Sequence, residues 1–150
     1  MMLSFIKFVH VICGVSFFGI IIASFFYIAR SIKYSDRSLI NYSLTTSYFG
    51  DAIILLCILI LLITSIPLVS AGHFTLKVPW IFIAYHAFGC LIVLWLLTIL
   101  IKKFCLSKAV IAPYSVKIFY ILNSAMILIF IVIIHDAVTQ STGLEFLFRN

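Results

Sequence analysis

The sequence predicts an all-α integral membrane protein that forms a single four-helix bundle over residues 1–150. Hydrophobic residues make up 65% of the chain and charged residues only 9%, whereas a soluble domain is about half apolar and about a quarter charged. The apolar residues also fall into four segments, each long enough for the roughly 20 residues that a membrane-crossing helix needs. Lipid is therefore expected to be the main solvent of the fold.

The four predicted spans are separated by short polar connections and cover residues 3–29, 48–69, 78–101 and 116–138. The first span is longer than the apolar region of a signal peptide and has no clear cleavage site, so we expect it to be retained. Pro79 and Trp80 open the third span, and they suit a first helical turn and a membrane interface. The first connection, residues 30–47, is expected to continue the helices beyond the bilayer.

The positive charges predict the orientation of the bundle. Lysines and arginines concentrate in the first and third connections and at the start of the fourth span, as Arg30, Lys33, Arg37, Lys102, Lys103, Lys108 and Lys117. The positive-inside rule places these connections in the cytoplasm and both termini in the periplasm of a bacterial inner membrane. Because no basic run is interleaved with aromatic residues, we expect no nucleic acid partner.

The four histidines are predicted to lie on the outer half of the bundle. His10 lies about 10 Å below the outer surface at 1.5 Å per residue, His86 lies at a similar depth in span three, and His135 lies near the outer end of span four. His73 falls in the outer turn between spans two and three. Each of the three intramembrane histidines belongs to a stripe at helical spacing: His10, Cys13, Gly14, Phe17, Ile21 and Ser24; His86, Gly89, Cys90 and Val93; and Tyr120, Ser124, Leu128, Ile131 and His135.

These stripes favour a cofactor site. Small and polar residues in membrane helices tend to face other helices, so three helices are expected to direct an imidazole into the bundle. His10 and His86 then suit the axial positions of one b-type haem, with His135 as the alternate ligand. Gly14 and Gly89 would leave room for a flat ligand, and Lys77, Lys7, Ser70 or His73 would meet its propionates. The alternative is that each histidine is a packing residue, or for His135 an interfacial one beside Asp136.

The cysteines leave a copper site open as an alternative. Cys13, Cys57, Cys90 and Cys105 form no CxxC pair and no disulfide framework. Cys13 follows His10 by one turn and Cys90 follows His86 by one turn, and thiolate with imidazole suits copper. Packing is the other interpretation of both cysteines.

Asp51 is an acidic residue within span two, on the cytoplasmic side and far from the histidines. An intramembrane carboxylate is by default a candidate functional group. We expect Asp51 to form a structural ion pair with Arg30, at the cytoplasmic end of span one; a proton path is the alternative.

The stretch from Phe8 to Arg30 resembles the first helix of a superfamily of small four-helix membrane proteins. The superfamily includes the copper-resistance D-type membrane domain, an uncharacterised integral membrane group and the J-type protoporphyrinogen oxidases. His10, the group Phe17-Phe18-Gly19 and Arg30 match its pattern in order, and residues 64–89 resemble its second hairpin. The resemblance implies a four-helix bundle and, in the oxidase branch, b-type haem bound by His10. The further histidine and the Asn-Glu motif of that branch have no counterpart here.

Together these observations predict a b-type haem protein that transfers electrons near the outer surface, with a quinol or a membrane redox protein as partner. If the chain is an enzyme, it is expected to be a haem-dependent membrane oxidoreductase. Copper binding or transport is the second hypothesis. The third is a non-catalytic accessory subunit without a cofactor, in a homo-oligomer or a larger membrane complex.

Overall fold

The computed structural model describes residues 2–34, 36–72, 78–106 and 113–139. Four long helices account for nearly all of them: α1 (Met2–Tyr34), α2 (Arg37–Ala71), α3 (Pro79–Ile101) and α4 (Pro113–Thr139), with a π-helical turn at Lys102–Leu106 that continues α3. Each long helix is long and apolar enough to cross a membrane. The predicted all-α, multi-pass membrane fold is confirmed.

The first two helices extend beyond the predicted spans. α1 continues to Tyr34, and α2 begins at Arg37 after the N-cap residue Asp36. The Asp36 carboxylate accepts a hydrogen bond from the backbone N–H of Ser38 at 2.8 Å, which satisfies one of the free donors of the first turn. The expectation that the first connection continues the helices is therefore confirmed.

The helices form two antiparallel hairpins, with α1 packed along α2 and α3 packed along α4. Ring contacts between α1 and α4 close one side of the bundle, because Phe25 contacts Phe119 and Tyr120. Polar contacts join α2 to α3, including a hydrogen bond of 2.9 Å between the hydroxyls of Ser65 and Tyr85. In a membrane, such polar contacts help to hold helices together.

The interior is built around Phe17 of α1, whose side chain is completely buried. Its ring lies 6.2 Å from that of Phe88 on α3 and 5.5 Å from that of Phe130 on α4, centroid to centroid. Buried residues of all four helices belong to this cluster. The outer faces carry large exposed apolar side chains such as Phe8 and Ile63, as a lipid-facing surface requires.

Gly50 sets the distance between α1 and α2. A Cβ atom at this position would lie 2.9 Å from Cγ2 of Ile20 and 3.6 Å from the hydroxyl oxygen of Ser24. The absence of a side chain lets the two helices approach closely, as small residues do at membrane helix contacts. At the same level of the bundle, the π-helical turn that continues α3 begins with Lys102, which is buried.

Candidate functional site

The bundle has two chemically different ends. The terminal end is where α1 begins and α4 ends, and the basic end is the opposite one, which carries Arg30, Lys33, Arg37, Lys103 and Lys117. The terminal end corresponds to the outer half on which the sequence placed its histidines.

His10 of α1 is half-buried and faces α2. Its Nδ1 lies 2.7 Å from the hydroxyl oxygen of Thr64. The Thr64 hydroxyl also lies 2.7 Å from the carbonyl of Ile60, to which it can donate its own proton. In that arrangement the hydroxyl oxygen accepts from Nδ1 of His10, and the lone pair on Nε2 is free to bind a metal.

His10 and His86 lie at one level of the bundle. His10 of α1 contacts Thr64 of α2. The next residue of α2, Ser65, forms a hydrogen bond with Tyr85 of α3, and Tyr85 directly precedes His86. The common level agrees with the depths that the sequence predicted.

His86 nevertheless faces away from His10. Phe88 points to the interior, where it contacts Phe17, and a residue two positions away on a helix is rotated by about 200° at 3.6 residues per turn. The His86 side chain is accordingly exposed, together with Gly89, Cys90 and Val93. The prediction that this stripe of α3 faces the bundle is wrong, because the larger residues on its opposite face, such as Leu91 and Trp95, form the core.

The stripe on α4 also faces outward. Ser124, Leu128, Ile131 and His135 are exposed and Tyr120 is half-buried, whereas Phe119, Met126 and Phe130 are buried. The side chain of His135 is 53% exposed, and its Nδ1 lies 3.1 Å from Oδ1 of the buried Asp136. Only the α1 stripe faces the interior as predicted. A haem ligated by both His10 and His86 of one chain does not fit this arrangement.

All three described histidines nevertheless share one hydrogen-bonding pattern. Nδ1 of His86 lies 2.8 Å from the backbone carbonyl of Phe82, and Nδ1 of His135 contacts a carboxylate. Carbonyl and carboxylate oxygens accept only, so these rings too carry the proton on Nδ1. Among the described residues, Nε2 of each ring has no hydrogen-bond partner. Metal-ligating histidines are held in this way through their second nitrogen.

Open space lies beside two of these rings. A Cβ atom at Gly14, one turn from His10, or at Gly89, one turn from His86, would meet nothing within 4 Å. A concave surface of about 560 Å³ surrounds Gly89 and is lined by Tyr85, His86, Gly89, Cys90, Val93 and Leu94. All six residues belong to α3, so this surface is open toward lipid. Lys77 and His73 lie outside the described residues.

Cys13 of α1 and Cys57 of α2 lie close together. Both side chains are buried and belong to the same core cluster. Cys90, which the copper hypothesis paired with Cys13, is exposed on the outer face of α3. The proposed set of His10, Cys13, His86 and Cys90 is therefore divided between two opposite surfaces, and Cys57 takes the place of Cys90 beside Cys13.

Asp51 pairs with Lys102 and not with Arg30. Nζ of Lys102 lies 2.6 Å from Oδ2 of Asp51, and both side chains are buried. The indole N–H of Trp95 donates to Oδ1 of Asp51 at 3.1 Å, and Lys102 also donates to the hydroxyl of Ser47 at 2.8 Å. Arg30 is exposed instead, with its guanidinium carbon 5.8 Å from the ring centroid of Tyr34.

The sequence contains a signal for this buried pair that the prediction did not use. Trp95, Thr98 and Lys102 recur at spacings of three and four residues, which places them on one face of α3. Ser43, Ser47 and Asp51 do the same on α2. A lysine that continues the buried face of an apolar helix indicates an interior cation, whereas we assigned Lys102 to a cytoplasmic connection.

Within the described ranges, no group of three or more histidine, cysteine, aspartate or glutamate side chains is close enough to hold a metal ion. Comparison of the chain with protein-family models, with curated proteins and with solved structures found no match.

Proposed function

We propose that the chain is a b-type haem-binding membrane protein with a redox role, in which His10 is an axial ligand. The observation that carries the proposal is the hydrogen bond of 2.7 Å between Nδ1 of His10 and the hydroxyl of Thr64, which can donate its own proton to the Ile60 carbonyl. The contact holds the orientation of the ring through its second nitrogen, as that of a metal-ligating histidine is usually held, and a proton on Nδ1 leaves Nε2 free for iron.

The residues around His10 suit a haem in part. Gly14 leaves open space one turn away, and the surrounding side chains of the bundle are apolar. Lys7 is exposed three residues before His10, toward the terminal end, and would supply a positive charge for a propionate. His86 faces the opposite side of α3, so one chain would supply a single histidine to the iron.

A bound haem would supply one-electron chemistry, with its potential tuned by the axial ligand and by burial. The chain's own contribution is to hold Nε2 of His10 free and to exclude water from its surroundings. The redox partner is a quinol or a membrane protein, because the described helices present an apolar surface to lipid.

We further propose that the protein resides in a bacterial inner membrane with the basic end in the cytoplasm. The exposed cations Arg30, Lys33 and Lys117 at that end support this orientation under the positive-inside rule. Reporter fusions at the two termini test it, since both fusions should be active in the periplasm. Cytoplasmic activity of either fusion would contradict the orientation.

The absorption spectrum of the detergent-purified protein, oxidised and then reduced, tests the haem proposal, with metal analysis of the same sample. We expect haem b in the wild type and in His86→Ala, and loss of haem in His10→Ala. His86 is the matched control because it is also an intramembrane histidine with a free Nε2.

Rescue of a cavity variant distinguishes ligation from folding. His10→Gly should recover haem binding when imidazole is added, because the free base can occupy the vacated ligand position. A colourless wild-type protein, or loss of haem in His86→Ala but not in His10→Ala, would contradict the proposal.

Copper binding is the second candidate, favoured by the presence of Cys13 and Cys57 in one buried core cluster. Two sulfur donors in an apolar core suit Cu(I). Copper in the purified sample that is lost in Cys13→Ser and in Cys57→Ser, but kept in Cys90→Ser, would support this function. A sample without haem or copper would instead favour an accessory subunit of a membrane complex.

A further inference from the structure

A groove at the basic end carries exposed positive charge beside exposed apolar side chains. It has a volume of about 630 Å³ and is lined by Phe26, Ala29, Arg30, Lys33, Tyr34 and Tyr120. We call it the basic groove. It lies between α1 and α4, because Tyr120 of α4 contacts Phe25 of α1 with 5.5 Å between ring centroids. It is remote from His10, which lies about five turns away along α1 at 3.6 residues per turn.

The cations of the basic groove are available to a ligand. Arg30 and Lys33 are exposed, and neither forms an ion pair with a carboxylate of the described residues. Lys117, one turn before Tyr120 on α4, is also exposed and adds a third cation at the basic end, outside the lining of the groove. Asp36, the nearest acidic residue in sequence, accepts backbone hydrogen bonds at the start of α2.

The groove has an apolar part on the side of the bilayer. Phe26 is 64% exposed, and Ala29, one turn from it, leaves the wall shallow. Arg30 lies at the end of the apolar stretch of α1, where a lipid headgroup meets the hydrocarbon region. An arginine can bind two oxygens of a phosphate at once, and tyrosine hydroxyls suit the membrane interface.

We propose that the basic groove binds the headgroup of an anionic phospholipid, with its phosphate on Arg30 and Lys33 and an acyl chain along Phe26 and Ala29. Basic pockets between membrane helices on the cytoplasmic side bind anionic headgroups. A freely soluble phosphate compound would use the cations but not the apolar wall. The combination of the two favours a lipid. This proposal rests on the proposed orientation, in which the basic end is cytoplasmic, and not on the haem proposal.

Lipid binding to the full-length, delipidated protein in detergent tests the proposal by native mass spectrometry. The probes are dioleoyl phosphatidylglycerol, dioleoyl phosphatidylcholine and glycerol phosphate. We expect phosphatidylglycerol to bind more tightly than phosphatidylcholine, and each of Arg30→Gln and Lys33→Gln to weaken phosphatidylglycerol binding about fivefold, since one cation near an anionic surface contributes about 1 kcal/mol.

Lys7→Gln is the matched control, because it removes an exposed lysine from α1 at the terminal end. It should leave phosphatidylglycerol binding unchanged. Arg30→Lys keeps the charge but loses the planar guanidinium, so an intermediate affinity supports two-point contact with the phosphate. Equal affinity for the two lipids, or an equal loss in Lys7→Gln, would overturn the proposal. Competition by glycerol phosphate as strong as that by phosphatidylglycerol would also overturn it, in favour of a soluble anion.

Discussion

Lys102 and Asp51 form a buried ion pair between α3 and α2, with Nζ of Lys102 2.6 Å from Oδ2 of Asp51. Trp95 and Ser47 complete the hydrogen bonding of the two charged groups. In a membrane the two charges must be satisfied within the protein, because lipid cannot solvate them. The pair thus determines how the α3–α4 hairpin registers against α2.

Removal of one partner of this pair is expected to be strongly destabilising. Lys102→Met leaves the carboxylate of Asp51 buried without its counter-ion, which costs about 3–5 kcal/mol. The double variant Asp51→Asn with Lys102→Met removes both charges and should be more stable than Lys102→Met alone. Thermal unfolding in detergent, followed by tryptophan fluorescence, measures both effects. A double variant less stable than Lys102→Met would contradict the ion-pair account.

Removal of the Arg30 charge distinguishes the buried pair from the predicted one. Arg30→Gln removes the cation that the sequence suggested as the partner of Asp51, and it should change the unfolding temperature little because Arg30 is exposed. A loss of stability in Arg30→Gln as large as that in Lys102→Met would contradict the pairing that the structure shows.

Thr64→Val should weaken haem binding without removing its ligand. Valine is close to threonine in shape but lacks the hydroxyl that accepts from Nδ1 of His10. Loss of such a partner typically lowers metal affinity about 10–100-fold. Haem titration of the apo protein measures the change. Ser65→Ala, which removes the neighbouring hydroxyl that contacts Tyr85, is the control and should leave haem affinity unchanged.

Gly50→Ala should destabilise the α1–α2 hairpin. Its new methyl group would lie 2.9 Å from Cγ2 of Ile20, and overpacking of this kind costs about 1–3 kcal/mol, against a helix-propensity gain of up to about 1 kcal/mol. Gly19→Ala is the matched control, because its methyl group meets nothing within 4 Å. Unfolding in detergent should show a lower stability for Gly50→Ala only. Equal stability of the two variants would contradict this prediction, because α1 and α2 would then move apart at Gly50 without a loss of stability.

Phe17→Ala should cost about 3–5 kcal/mol, as expected for a buried phenylalanine. Its ring contacts Phe88 and Phe130, so the cavity would lie where α1, α3 and α4 meet. Phe8→Ala removes the same side chain from a position that is 60% exposed, and its effect in detergent should be small. Similar losses in the two variants would contradict the assignment of Phe17 to the centre of the core.

The fold could be predicted from the sequence, but the facing of its helices could not. Four apolar segments of sufficient length dictate four membrane helices, because no other backbone arrangement of these segments satisfies its hydrogen bonds in lipid. The helical spacing on α1 also predicted its buried stripe, since Phe17 and Ile21 lie on that stripe and both are buried. On α3 and α4 large apolar residues occur on every face, so spacing alone did not distinguish the lipid side from the core side.

The sequence by itself determined the class, the spans and the level of His10 and His86, all of which depend on composition and on distance along a helix. Only the tertiary structure decided which residues come together across helices: His10 with Thr64, Cys13 with Cys57 in the core cluster, and Asp51 with Lys102. These pairings depend on the rotation of each helix about its axis. In lipid, hydrophobicity does not set that rotation, because both faces are apolar; close packing at Gly50 and the polar contacts between α2 and α3 do.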